Sequence, residues 1–496
     1  MTALGTAQAS ANGGFGDRVR AAVAWRWGSQ ALAQVITWTT TIVVVRLLAP
    51  ADYGLFAMTQ AVLVALNFLN GYGFATSLIQ AEEVTERRIG QVYGMLILTN
   101  GSLAVIQFLA APLAAQHYGQ AAVADMLRIQ ALVFLTTPFI AVPSALLARQ
   151  LRFRGQAVVN LACAFGGAVT ALALAAMGYG VWALVWAPIV VFSIRAVGLT
   201  IAAGQRIRPS FDFRGSREIL TFGSALMLSQ LFWVVQSQSD IFIAGRSFTA
   251  HELGLYSESL FVALILTGRF LPPLNEVAFP AYAELIKQGK PIGSAFVSGA
   301  QMIILVTAPL YIGLSLTAGP LVETVFGPKW LEMIPILSGL ALAMPAMALQ
   351  IVCSPATNAL GNPRPYLYSN MAGAVIMPAC FLIGASAGAH GLVTSWQVAA
   401  PLLLAFTLAM TLPRIGVRLI DLAKALLPAI VGCALMALAV IALSRLVEPL
   451  PALARLALLS AFGGTVYLIT LWLFWPEVVR RNWDMISRRR ARQTDS

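Results

Sequence analysis

Fourteen apolar stretches, most of about 20 residues or more, follow one another along the chain with little between them. A helix needs about 20 mainly apolar residues to cross roughly 30 Å of hydrocarbon, so stretches of this length read as membrane spans. They lie near 24–47, 53–79, 91–114, 125–147, 157–177, 180–203, 218–244, 254–277, 295–317, 334–358, 366–386, 389–411, 425–444 and 456–475. Without water to bond to, a spanning segment must satisfy its own backbone, which a helix does. The expected fold is therefore all-α, a polytopic membrane protein of about 14 transmembrane helices. Only 10% of the 496 residues are charged, against roughly 25% in soluble domains. That deficit excludes an ordinary soluble enzyme, a disordered chain and a nucleic-acid-binding protein. The net charge of +12 does not point to nucleic acid, because the basic residues stand in short runs between apolar stretches.

Lys and Arg collect in cytoplasmic loops. With the N-terminus placed inside, most of the 32 fall in inside segments, while Arg46, Arg128, Arg246, Lys329, Arg445 and Arg455 fall outside. Both termini are thus expected in the cytoplasm. The run Arg488–Arg490 would then meet anionic lipid head groups. The first apolar stretch is long, and no cleavable signal peptide is expected. Cys163, Cys353, Cys380 and Cys433 lie in apolar stretches without a CxxC pair and read as buried small hydrophobes. His117, His251 and His390 are too scattered for a metal site. No metal or cofactor is expected.

The chain also repeats itself. Arg46-Leu-Leu-Ala-Pro-Ala-Asp52-Tyr-Gly54-Leu55-Phe56 returns as Arg246-Ser-Phe-Thr-Ala-His-Glu252-Leu-Gly254-Leu255-Tyr256, 200 residues later. Pro112-Leu113 and Tyr118-Gly119 return as Pro320-Leu321 and Phe326-Gly327, at an offset of 208. Pro143 and Arg152 return as Pro355 and Arg364, at an offset of 212. Each pair falls at the same place in the span order. The expected organisation is an N-lobe over 1–210 (spans 1–6), a C-lobe over 211–414 (spans 7–12), added spans 13–14 over 415–476, and a basic cytoplasmic tail over 477–496. Parallel repeats of six spans suit a transporter, whose two lobes rock around a site between them; the plainer reading is that duplication made a larger bundle.

These motifs resemble the multidrug/oligosaccharidyl-lipid/polysaccharide (MOP) superfamily. Within it they are most similar to the polysaccharide transporter branch, the Wzx-type lipid-linked oligosaccharide flippases of the colanic-acid-exporter-like subgroup. The resemblance rests on Gly28-Ser-Gln30 through Asp52-Tyr-Gly-Leu-Phe56, and on Ala145-Leu-Leu-Ala-Arg149 with Leu151 and Phe153. It rests also on Asp240 with Gly245-Arg246, on Leu253-Gly-Leu-Tyr256, and on Phe326-Gly327 with Lys329-Trp330. It implies movement of an undecaprenyl-pyrophosphate-linked oligosaccharide from the inner to the outer leaflet of the bacterial inner membrane, for O-antigen or exopolysaccharide synthesis. The sugar would pass through a central cavity and the lipid tail along a side groove, driven by a gradient of H+ or Na+. A monomer is the default, with association with polysaccharide polymerase machinery as a further expectation. One rival is a drug or organic-cation antiporter of the same superfamily, which would favour cavity carboxylates. Another is a lipid-linked-sugar polymerase or ligase. The outer segment from Gly319 to Met333 offers that chemistry no paired carboxylates.

A pyrophosphate with sugars needs cations and many neutral hydrogen-bonding groups; arginine suits phosphate because its planar fork bonds bidentately. Ionisable residues inside spans are costly and so are functional candidates. In span 1, Arg26, Gln30 and Gln34 stand at i, i+4 and i+8, and Thr37 and Thr41 extend the stripe. That stripe is expected to face a water-filled cavity, although Arg26 also suits a snorkelling residue and the glutamines suit interhelical bonding. Asn67, Asn70, Asn100 and Gln107 suit sugar hydroxyls or helix packing equally. In span 7, Gln230, Ser237, Gln238 and Asp240 are polar; Asp240 either pairs with Arg246 or titrates in ion coupling. In span 8, Glu258 and Arg269 are cavity candidates, with Asn275 and Glu276 beyond, and Arg269 is the leading phosphate ligand. Arg195 reads as a snorkelling residue. Arg46 and Arg246 are either outer-gate cations or partners of Asp52, Glu252 and helix-end carbonyls. Pro272-Pro273, Pro335 and Pro345 are expected to kink their helices.

Overall fold

The computed structural model describes residues 28–80, 84–150, 153–204, 208–214, 217–361, 364–478 and 480, and no strand occurs among them. The N-terminal helices are α1 (Gly28–Leu47), α2 (Pro50–Asn67), α3 (Tyr72–Gln80), α4 (Glu86–Tyr118), α5 (Ala122–Gln130), α6 (Leu132–Arg149), α7 (Phe153–Ala176) and α8 (Trp182–Ala203). Then follow α9 (Arg217–Ser247), α10 (Ala250–Lys287), α11 (Gly293–Leu316), α12 (Ala318–Val325), α13 (Ile334–Ala359), α14 (Arg364–Gly384), α15 (Gly388–Ile415), α16 (Leu419–Leu446) and α17 (Ala452–Phe474). Among the described residues, each of the fourteen predicted spans lies largely on helix. Among the described residues, eleven helical stretches are long and apolar enough to cross a membrane, so the count of fourteen is not reproduced by that measure. The difference lies in three places. Span 2 is divided between α2 and α3 at Gly71, whose φ is +79°. Spans 11 and 12 form one stretch, Arg364–Ile415, turned over a short 3₁₀ segment, Ala385–Ala387. Span 7, α9, is not among the eleven. Proline does not break α10, which runs on through Pro272, Pro273 and Pro280.

The chain divides into two compact units, Met1–Val234 and Val235–Ser496. The division falls inside α9 rather than in the loop before it, and α16 and α17 belong to the second unit. There Tyr467 Oη donates to the Leu305 carbonyl at 2.8 Å and Gln301 Nε2 to the Ala425 carbonyl at 2.7 Å, joining α17 and α16 to α11. Arg455 pairs with Glu323 of α12.

The residues that repeat between the units are helix punctuation. Asp52 Oδ2 accepts from the Ala49 amide at 3.0 Å, closing the start of α2. Glu252 Oε2 accepts from the Thr249 amide at 2.9 Å at the start of α10, while Thr249 Oγ1 accepts from the Glu252 amide. Such a reciprocal cap satisfies donors that a helix start leaves open. The two acids are therefore held by their helix starts, and Glu252 forms no ion pair with Arg246, against one of the expectations for the pair. The second anchor is a matched stop: buried Tyr118 and Phe326 precede Gly119 and Gly327, with φ of +64° and +89°. In the third, Pro143 and Pro355 are buried inside α6 and α13, while Arg152 lies outside the described residues.

The segment after α8 is strapped along α4. Ser210 N donates to the Gly90 carbonyl at 2.8 Å. Gln91 Nε2 donates to the carbonyls of Asp212 and Arg214 at 2.8 and 3.2 Å, and Arg87 pairs with Asp212 at 3.0 Å. A Cβ at Gly94 would come within 2.1 Å of the Ser210 carbonyl oxygen, so only glycine lets the two backbones lie this close.

Candidate functional site

Five helices of the N-terminal unit, with a contribution from Phe56 of α2, enclose a cavity of about 1040 Å³. One wall is the α1 stripe: Gln30, Gln34, Thr37 and Thr41 all line it, as the i, i+4 spacing predicts. Thr37 and Thr41 donate their hydroxyl protons to the carbonyls of Ala33 and Thr37 at 2.8 and 2.9 Å. They therefore offer the cavity acceptor lone pairs only. The side chains of Gln30 and Gln34 bond no described residue and keep both amide functions for whatever fills the space.

The opposite wall is α7 with α8. Gln156, Asn160, Cys163, Gly167 and Ala171 form one stripe of α7 along the cavity. Glycine brings the two helices close: a Cβ at Gly166 would meet Ile194 Cδ1 at 2.3 Å, and one at Gly167 would meet Val191 Cγ2 at 2.6 Å. Small residues that admit such approach characterise helix packing in membranes. Arg195 of α8 lines the cavity beside Cys163. It is half-buried, and its Nε is buried with no hydrogen-bond partner. Arg195 is the one charged residue among the described lining. It is therefore a cavity residue, which the sequence reading did not assign it to be. The sequence reading missed Gln156 and Asn160, though their i, i+4 spacing in an apolar span is the signal that marks the α1 stripe.

The other candidates lie elsewhere. Arg26 lies outside the described residues. Asn67 and Asn70 stand at the end of α2, where Asn70 Nδ2 reaches Asn67 Oδ1 at 3.4 Å and the Asn70 carbonyl accepts from Asn100 Nδ2 at 2.8 Å. These amides, with Gln107 bonding the Leu127 carbonyl at 2.7 Å, hold helices together; neither Asn67 nor Asn70 lines the cavity. Arg46 and Arg246 are exposed in the last turns of α1 and α9.

In the second unit Asp240 does not pair with Arg246. Its Oδ2 accepts from Tyr256 Oη at 2.8 Å and its Oδ1 from the Ile241 amide at 2.8 Å. Tyr256 Oη in turn accepts from Trp396 Nε1 at 2.8 Å. The correction has a simple cause. Asp240 faces inward toward α10 and α15, 1% exposed, while Arg246 faces outward. Gln238 and Glu258 are half-buried and Arg269 is exposed, and no described residue bonds any of the three. The side chain of Gln230 lies outside the described part. Gln236, not singled out from sequence, is the buried amide of this helix and packs against Gly373.

The fold is similar to that of solved membrane transporters. A lipid II flippase, MurJ, in an inward closed conformation, superposes with a TM-score of 0.70 at 12% identity, over 90% of this chain and 99% of its own. An inward-facing multidrug resistance MATE transporter of the MOP superfamily superposes with a TM-score of 0.62 at 13% identity, over 79% and 96%. A family model described as "Polysaccharide biosynthesis protein" matches residues 43–335, and the chain belongs to that family. The teichuronic acid biosynthesis protein TuaB of Bacillus subtilis is 28% identical over 54% of this chain and 56% of its own. The succinoglycan biosynthesis transport protein ExoT of Rhizobium meliloti is 26% identical over 62% of each. The lipopolysaccharide biosynthesis protein WzxC of Escherichia coli is 21% identical over 60% of each. The matches thus span between half and two thirds of these relatives.

Proposed function

We propose that this protein carries an undecaprenyl-pyrophosphate-linked oligosaccharide from the inner to the outer leaflet of a bacterial inner membrane, by alternating access of its two lobes. The observation that carries the reading is a cavity walled by neutral amides and hydroxyls inside an otherwise apolar lobe. Unbonded amides donate and accept at once, which suits sugar hydroxyls. The kinship with polysaccharide biosynthesis proteins supplies the substrate class. The organic-cation alternative wants a carboxylate in the cavity, and no carboxylate stands among its described lining residues. An H+ or Na+ gradient would drive the cycle, with both termini in the cytoplasm. No residue is assigned a catalytic role.

The test is flipping in proteoliposomes. Wild-type protein should move the lipid-linked oligosaccharide without changing its length, and Gln34→Leu should move it at least tenfold more slowly. Accumulation of organic cations with no lipid movement would overturn the reading in favour of the antiporter, and lengthened sugar chains would do so in favour of a polymerase.

A further inference from the structure

The cavity is not uniform along its length. Gln156 and Asn160 come from the first turns of α7, and Arg195 comes from the second half of α8. Because α7 and α8 run antiparallel through the short turn after Ala176, these three residues share one end. Toward that turn α7 and α8 contribute Ala168, Ala171, Ala183, Leu184 and Ala187, without a polar side chain. The polar end is also electrically unbalanced. A charge held inside a membrane lobe is costly unless it is paired or solvated. Three carboxylates of this unit are committed elsewhere: Asp52 to a helix start, Asp125 to Arg128, and Asp212 to Arg87. Among the described residues no carboxylate lines the cavity with Arg195, and its Nε has no hydrogen-bond partner.

We infer that this end of the cavity is a pyrophosphate site, in which Arg195 supplies the positive charge and Gln156 and Asn160 donate amide protons to the remaining phosphate oxygens. The inference rests on the transport reading above and deepens it by assigning the phosphate end of the substrate to α7 and α8 and the saccharide to the α1 stripe. A guanidinium fork and two carboxamides are all donors toward phosphate oxygens, and charge-assisted bonds of this kind are about twice as strong as neutral ones. The same chemistry would bind free pyrophosphate, so the experiment separates the two sources.

Binding of inorganic pyrophosphate and of the free oligosaccharide is measured by calorimetry on the purified full-length protein in detergent. The variants are Arg195→Gln, Arg195→Lys and the nearly isosteric Asn160→Asp, with Arg128→Gln as a charge-removing control outside the cavity. The lipid-linked oligosaccharide is followed in proteoliposomes with the same proteins. Arg195→Gln and Asn160→Asp should each weaken pyrophosphate at least tenfold and leave the free oligosaccharide within twofold. Arg195→Lys should recover most of the loss, and Arg128→Gln should match the wild type. Asn160→Asp keeps the shape of the wall, so a loss there is not a folding defect. If wild type and Arg195→Gln bind pyrophosphate equally, or neither binds it, the site is overturned. If the wild type still flips the lipid in that case, the transport reading stands alone. If pyrophosphate binding depends on Arg195 but the wild type flips no lipid, the anion site stands and the transport reading falls.

Discussion

Asp240 is almost wholly buried and has no cation beside it among the described residues. A carboxylate so placed survives only when its oxygens are bonded, and here Tyr256 and the Ile241 amide do that. Tyr256 is the keystone, since its one oxygen donates to Asp240 and accepts from Trp396. Tyr256→Phe removes both bonds and leaves two buried polar groups unsatisfied, at about 1–3 kcal/mol each. A clear fall in the Tm of the detergent-solubilised protein is the expected result. An unchanged Tm would mean that the three side chains do not stabilise the second unit. Asp240 also shows why residue roles were hard to read in advance. The sequence places it six residues before an arginine on one helix, and a pair was a fair expectation. Those six residues put the two side chains on different faces of α9, a distinction that depends on where the partner helices stand.

At the scale of the element, the helices were the most legible part, because long apolar runs leave the backbone no alternative in a membrane. The breaks were less so: the division at Gly71 needs the left-handed φ to be seen. Least legible was the fate of each amide. Gln30 and Gln107 are the same residue type in similar apolar spans, yet one lines a cavity and the other bonds the Leu127 carbonyl. Local pattern does not separate them, since burial is decided by neighbours far away in sequence. The caps yield a prediction here. Asp52→Ala and Glu252→Ala each remove the bond that closes a helix start, and each should cost about 0.5–2 kcal/mol, read as a lowered unfolding temperature of similar size in the two variants. The strap on α4 yields another. Gly94→Val forces the Ser210 backbone away, so the segment 208–214 should become cleavable by a protease that spares it in the wild type.

For the whole molecule, the distribution of Lys and Arg predicts both termini in the cytoplasm. A fluorescent protein fused after Ser496 should light up, and alkaline phosphatase fused at the same place should stay inactive; the reverse result would invert the topology and with it the direction of transport proposed above. The duplication was legible as three pairs of short motifs. What they meant was not, because the same residues suit gates, ion pairs or caps until the hydrogen bonds are seen.

The anchors that survive in both halves start, stop or bend helices, whereas the cavity stripe is copied only in part: at the repeat offset Gln30 and Thr37 of α1 match Gln230 and Ser237 of α9, but Gln34 and Thr41 match Val234 and Ile241. Descent from one ancestral half has therefore preserved the scaffold's instructions while releasing part of its interior to diverge. Such a protein should be brittle at its caps and plastic in its lining, so that, on the transport reading proposed above, new specificities would arise by exchange of a few wall residues on α1 and α7 without any change in how either half folds.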